Sequence, residues 1–194
     1  MIEAIKTIQD AAQLGINAFQ KIKETDGCKY RVVEKIKVSE MSLTHFFESL
    51  ENQRFWRDLD DLGKLKQEVI ERPCLYFFEI LNASEERNRR IIETYQEYRN
   101  QKTRNCSAVH NKPNFNTSTL YLGKVKHGIN GRMIVHFGYG NYQTGGLQLV
   151  HWAQKLNLEL NLHLFLLPNE AAEFVEPLEF LMSKKLMPLI GKHK

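Results

Sequence analysis

Two tyrosines, an arginine with a histidine four residues after it, and a late glutamate are the side chains of this 194-residue chain whose types and order suit chemistry on an anionic ester. Tyr76 lies in one apolar run, and Tyr121 begins the triplet Tyr121-Leu122-Gly123 in another. Arg132 and His136 stand one helical turn apart and share a face, so both can point into one cleft. Glu179 precedes Pro188 by nine residues in the last helical segment. A guanidinium offers a phosphate a bidentate donor pair, and a carboxylate can hold one hard divalent cation that keeps most of its ligands as water. Phosphodiester hydrolysis needs these two functions together with an activated water. Singly, each residue has a plainer reading: a strand tyrosine with its hydroxyl at the rim of the core, a solvated glutamate, a surface Arg/His pair.

The elements that must position these groups follow from patterning. Ile2, Ile5, Ile8, Ala12, Ile16, Phe19 and Ile22 recur at steps of three and four, one face of an amphipathic helix. Residues 30–38 are short and β-branched, open to strand or helix; helices are expected to follow from Ser42 or Thr44 to Leu50 and over 55–71, the latter stopped by Pro73. Beyond Pro73 the texture changes. Residues 74–80 read as a strand, 84–104 as a charged helix capped by Ser84, 106–119 as a loop and 120–126 as a second strand. Gly128 and Asn130-Gly131 then turn the chain into the segment of Arg132. A glycine-rich loop (138–146), a helix (147–156), a third strand (160–167) and a last helix (170–186) complete the order. This predicts an α/β (α+β) domain over 73–194, a central three-stranded sheet flanked by helices with an inserted helix and loop at 81–119, after a helical extension over 1–72.

Composition narrows the classes. With 42% hydrophobic and 26% charged residues the chain can bury a core, which excludes disorder over its whole length. Cys28, Cys74 and Cys106 are odd in number and never stand at metal-ligand spacing, against a disulfide framework or a zinc ribbon. The longest apolar run, 162–167, is interrupted by His163, and Glu3, Lys6 and Asp10 occupy the place of a signal peptide's apolar stretch. No membrane association and a reducing cytoplasm are expected. The net charge of +4 resides in the C-terminal part, where residues 105–194 hold 9 basic and 5 acidic side chains. If a polyanion binds, it meets that part first. Between Arg99 and Lys112 there is no acidic residue, so Arg99, Lys102, Arg104 and Lys112 are candidate phosphate contacts. The glycine-rich loop lacks the Lys-Ser/Thr ending of a nucleotide-binding loop. It reads either as a flexible connection or as a support for Asn141 and Gln143, amides suited to adenine edges. His151 and Trp152 read as core.

Taken in order, residues 74–192 resemble the GIY-YIG nuclease family, in its restriction-endonuclease-like branch. Cys74-Leu75-Tyr76 stands where that family has Gly-Ile-Tyr, and Tyr121-Leu122-Gly123 where it has Tyr-Ile-Gly. Arg132, nine residues past Gly123, takes the place of the catalytic arginine, and His136 that of the histidine often found four residues later. Glu179, followed by Met182, Pro188 and Gly191, looks like the closing helix with its metal-binding glutamate. Lys124 and His127 match a lysine and histidine of the restriction enzymes. The chain departs in Cys-Leu for Gly-Ile, in Gly191 for a terminal Asn, and in the 45 residues between the two tyrosines. The resemblance implies a site-specific endonuclease cutting double-stranded DNA, with Mg²⁺ (Mn²⁺ substituting) held by Glu179, either Tyr76 or His136 as general base, Tyr121 orienting water and phosphate, and a homodimer as one route to cutting both strands. Competing readings are a catalytically silent nucleic-acid-binding module and a nuclease subunit of a larger defence or mobile-element assembly.

Overall fold

The computed structural model describes residues 2–24, 28–41, 72–110, 112–140 and 142–191. Helix α1 (Ile2–Lys23) forms over the expected periodic stretch, with Ala18 buried and the Phe19 ring tilted against Phe174. The helices expected over 44–50 and 55–71 lie outside the described residues.

Residues 29–37, whose pattern admitted either element, form strand β1 (Lys29–Lys37). With β2 (Cys74–Ile80), β3 (Thr119–Val125) and β4 (Glu159–Leu166) it makes a sheet of order β1-β4-β2-β3 in which every neighbouring pair is antiparallel. The sheet therefore has four strands, one more than the pattern predicts. The cause is a bulge. Val33 and Ile36 are both buried opposite Leu162 and Leu160, yet they are three residues apart, a helical spacing. The register shifts between them, and Lys35 takes φ +55°, which absorbs the extra residue and returns Ile36 to the face of Val33. The sheet thus crosses the change of texture at Pro73.

The two faces of the sheet do different work. Tyr76, Phe78 and Ile80 of β2, Tyr121 of β3 and Leu160, Leu162 and Leu164 of β4 belong to the main core. Against this core stands α2 (Glu85–Asn100), which begins where the Ser84 hydroxyl accepts the Arg87 N–H at 3.2 Å and buries Ile91, Ile92, Tyr95 and Tyr98. Helix α3 (Ile129–Phe137) runs between two left-handed glycines, Gly128 and Gly138, and buries Met133, Val135, His136 and Phe137. Helix α4 (Leu149–Trp152) is shorter than the pattern suggested, because Gln148 before it is left-handed and a 3-10 turn (Gln154–Leu156) follows. The opposite face carries Leu75, which packs in a second cluster with Leu167, Ala171 and Val175. Here α5 (Val175–Leu186) follows a 3-10 turn (Asn169–Phe174) instead of a continuous helix from 170. After α5, Leu189 and Ile190 donate their N–H groups to Thr119 and Leu120, covering that end of the β3 edge.

The insertion between β2 and β3 is tied down by a buried amide. Asn88 Nδ2 donates to the carbonyls of Phe115 (2.8 Å) and Thr117 (2.7 Å), fixing the return path to β3. Asn88→Ala leaves both carbonyls without their donor, so urea denaturation with an unchanged m-value should show a loss of about 2 kcal/mol or more.

Candidate active site

β2 and β3 pair with Tyr76 directly opposite Gly123 and Phe78 opposite Tyr121. This register places both tyrosines on the core face, with ring centroids 6.3 Å apart. Glycine at 123 is a steric requirement: a Cβ there would lie 2.5 Å from Tyr76 Cζ and 2.8 Å from Tyr121 Cε1. The Tyr76 phenol leans over the Gly123 backbone as a result and is fully buried.

A buried hydroxyl needs partners, and α3 provides two. Arg132 donates Nε–H to the Tyr76 oxygen at 3.2 Å, and His136 Nε2 lies 2.8 Å from the same oxygen. Arg132 also donates Nη2–H to the Tyr121 hydroxyl (3.2 Å) and Nη1–H to the Gly145 carbonyl (2.7 Å). The other ring nitrogen of His136, Nδ1, accepts the Leu147 N–H at 3.2 Å. That bond fixes the tautomer: with Nδ1 accepting, the proton of the neutral ring sits on Nε2 and is donated to Tyr76. The Tyr76 oxygen then accepts two N–H donors, and its own proton must point along a third direction.

Burial dominates the electrostatics. Desolvation and the neighbouring Tyr121 push the Tyr76 pKa well above the ordinary phenol value, while the Arg132 guanidinium pulls the other way. Desolvation and the Arg132 charge hold His136 well below its ordinary value, so the ring is neutral. Arg132 itself stays charged: burial disfavours the cation, but Tyr76 and Tyr121 more than offset it.

Glu179 lies on α5, one-fifth exposed, and accepts from Lys124 Nζ at 3.0 Å; Lys124 also reaches Glu176 at 3.2 Å. Lys124 is on the β3 face away from Tyr76, paired across the sheet with Leu75, so the ion pair flanks the strand that carries Tyr121. The Glu179 charge nevertheless acts on the Tyr76 phenol, contributing to its raised pKa. Among the described residues no three His, Cys, Asp or Glu side chains gather into a metal cage. A hard cation that keeps most of its ligands as water can be held by a single carboxylate such as Glu179. Such a cation would share the carboxylate with Lys124.

Of the residues singled out in the sequence, Tyr76, Tyr121, Arg132 and His136 form one hydrogen-bonded group, and Glu179 and Lys124 form an ion pair on the other side of β3. His127 is exposed in the turn joining β3 to α3. Arg99, Lys102 and Lys112 are exposed in the insertion, and Gln143 is exposed in the glycine-rich loop, where Asn141 lies outside the described residues. Arg104 is placed differently. Its guanidinium turns inward, donating Nε–H to Gln148 Oε1 (2.8 Å) and Nη2–H to the Gly140 carbonyl. His151 and Trp152 serve packing: Trp152 is buried with Nε1–H on the Leu147 carbonyl, and His151 bonds the Gly138 carbonyl. The sequence pattern did not identify Gln148, the Gly145 carbonyl or the Leu147 N–H as partners. Backbone groups carry no residue signature, and a glutamine before a helical stretch reads as surface.

No protein-family model, curated protein or solved structure matches the chain. Among the described residues no helix is long and apolar enough to cross a membrane.

The neutral His136 makes stability pH-dependent in a definite direction. The unfolded ring takes up a proton below about pH 6.5 and the folded ring does not, so acid favours the unfolded chain. Between pH 6 and 5, His136→Gln should remove up to about 1.4 kcal/mol per pH unit of the acid sensitivity seen in denaturation of the unaltered protein. An identical slope in the two proteins would mean that the folded ring is protonated.

Proposed function

We propose that this protein is a divalent-metal-dependent endonuclease of the GIY-YIG type acting on double-stranded DNA in the cytoplasm. The observation that carries the reading is one hydrogen-bonded group drawn from three elements and two halves of the chain: Arg132 and His136 converge on the buried Tyr76 oxygen, and Arg132 also binds the Tyr121 hydroxyl. A core needs no such group: phenylalanine at 76 would fill the volume without requiring partners. The order and types are those of the family motif, and Glu179 stands where the family keeps its metal ligand.

In this reading His136 acts as a donor, because its acceptor nitrogen is engaged by Leu147, and Tyr76 acts as the general base. Ionised Tyr76 would be stabilised by the N–H groups of His136 and Arg132; once its buried oxygen is opened to the site, it would accept the proton of a water whose oxygen attacks phosphorus as the P–O3′ bond breaks. Arg132 has five N–H groups and directs three of them at Tyr76, Tyr121 and Gly145, leaving the rest to grip phosphoryl oxygens. Glu179 would hold a Mg²⁺ ion, or Mn²⁺ in its place, which would supply charge stabilisation to the phosphate. Lys124 holds the Glu179 carboxylate ready. The described residues hold one such site, so cutting both strands takes a homodimer or two successive visits.

Purified protein incubated with supercoiled plasmid and Mg²⁺ should yield nicked or linear DNA. Tyr76→Phe, Arg132→Ala and Glu179→Ala should each slow cleavage about a hundredfold or more while keeping the fold and most DNA affinity. The rate should climb with pH from 7 to 9 by up to tenfold per unit, since the raised Tyr76 pKa leaves the base form scarce throughout that range. Intact plasmid with every preparation, accompanied by tight DNA binding, would favour the silent binding module. Full activity of Glu179→Ala would remove the reading.

DNA contact is assigned to the exposed basic end of the insertion. Arg99 and Lys102 replaced by Ala should flatten the slope of log affinity against log salt by up to about 2 × 0.9 if both meet phosphates. An unchanged slope would place the DNA elsewhere.

A further inference from the structure

The glycine-rich loop between α3 and α4 is bonded on both sides. Toward the site, the Gly145 carbonyl holds Arg132 and the Leu147 N–H holds His136. Away from the site, residues 104–107 of the insertion grip the same loop. Arg104 donates to the Gly140 carbonyl and to Gln148. Asn105 donates its backbone N–H to Tyr142 (2.7 Å) and its side-chain amide to Gln143 (2.5 Å), and the Ser107 N–H reaches Gly146 at 2.9 Å. Gln148 closes the circuit, its Nε2 facing the carbonyls of Asn105 and Thr144. The loop also presses on α3 with no slack: a Cβ on Gly146 would sit 2.6 Å from Val135 Cγ1, and one on Gly140 2.8 Å from Val135 Cγ2. Val135 lies between Arg132 and His136 in α3, so a shift of the loop displaces the helix that carries both.

We infer that Arg104 is a positioning residue for the proposed nuclease site, acting through the glycine-rich loop to hold Arg132 and His136 in register with Tyr76. Its two bonds span the loop from Gly140 to Gln148, the points between which the loop supplies both of its contacts to the site. The insertion is thereby mechanically part of the catalytic centre. Arg99, in the last turn of α2, and Lys102 lie five and two residues before the clamp, so seating DNA on them and ordering Arg132 are linked events. A displacement of about 1 Å at the reacting groups is enough to cost on the order of a hundredfold in rate.

This inference rests on the nuclease reading, and two measurements separate it from that reading. In plasmid cleavage, Arg104→Met should lower kcat about ten- to a hundredfold with KM and DNA affinity nearly unchanged, and Arg104→Lys, whose single ammonium can reach one of the two acceptors, should recover part of the loss. A raised KM with unchanged kcat would make Arg104 a phosphate contact and overturn the inference. So would an unchanged kcat per folded molecule. If Arg104→Met does not fold, Arg104→Lys against the unaltered protein decides by the same split. Independently of activity, amide exchange and ring-nitrogen NMR should show the Leu147 N–H exchanging at least about tenfold faster in the variant, with the fixed His136 tautomer lost. Unaltered exchange and tautomer would overturn the linkage. Absence of cleavage by the unaltered protein would sink the nuclease reading, and the NMR comparison would then decide the linkage alone.

Discussion

A phenol oxygen buried in a sheet face is the constraint around which the β2, β3 and α3 part of this molecule is arranged. Tyr76 is fully buried, and a hydroxyl withdrawn from water without partners costs a few kcal/mol. The nearest strand gives it room and no bonds, because position 123 is glycine. Its partners must therefore come from a helix laid across the sheet. Arg132 and His136 meet that need at a spacing of one turn, and their requirements pass outward in turn. A buried guanidinium needs acceptors, which Tyr121 and Gly145 provide, and a buried imidazole needs its second nitrogen satisfied, which Leu147 provides. Each layer of polar satisfaction creates the next, ending at residues 104–107.

The same burial explains how two adjacent basic groups coexist. A protonated histidine beside an arginine in a site of low dielectric would be strongly disfavoured, and His136 is held neutral by desolvation and by Arg132. The centre thus has one fixed cation and one fixed donor, and a phenol whose ionisation both would favour. Across β3, Lys124 is fastened between Glu176 and Glu179. These ion pairs are partly exposed and contribute little to stability; their consequence is orientation of the Glu179 carboxylate.

On the other sheet face a second polar chain runs from Tyr30 to Nδ1 of His163 (2.6 Å) and from its Nε2 to Glu79 (3.0 Å), with Phe77 stacked on the imidazole. It joins β1, β4 and β2 across three strands. Together with the buried Val33 and Ile36 it fastens the strand contributed by the first part of the chain to the two central strands.

Much of this was legible in the residues themselves. Periodicity located α1, Ser84 announced the start of α2, and the apolar runs gave β2, β3 and β4, because burial of one face imposes a repeat that any reader of the chain can see. The types and order of Tyr76, Tyr121, Arg132, His136 and Glu179 are likewise plain in the sequence. β1 was ambiguous because a bulge converts a strand's alternation into a helix-like spacing, and a bulge depends on the partner strand. In sequence the loop at 138–146 admits a flexible connection or a support for Asn141 and Gln143, because glycines report freedom of the backbone, whereas the bonds that tie it run to residues about forty positions earlier. Arg104 illustrates the division most sharply. Its charge and basic neighbours were visible in sequence and suggested phosphate, but the direction a guanidinium points is set by which acceptors folding brings within 3 Å, and only the tertiary structure decides that.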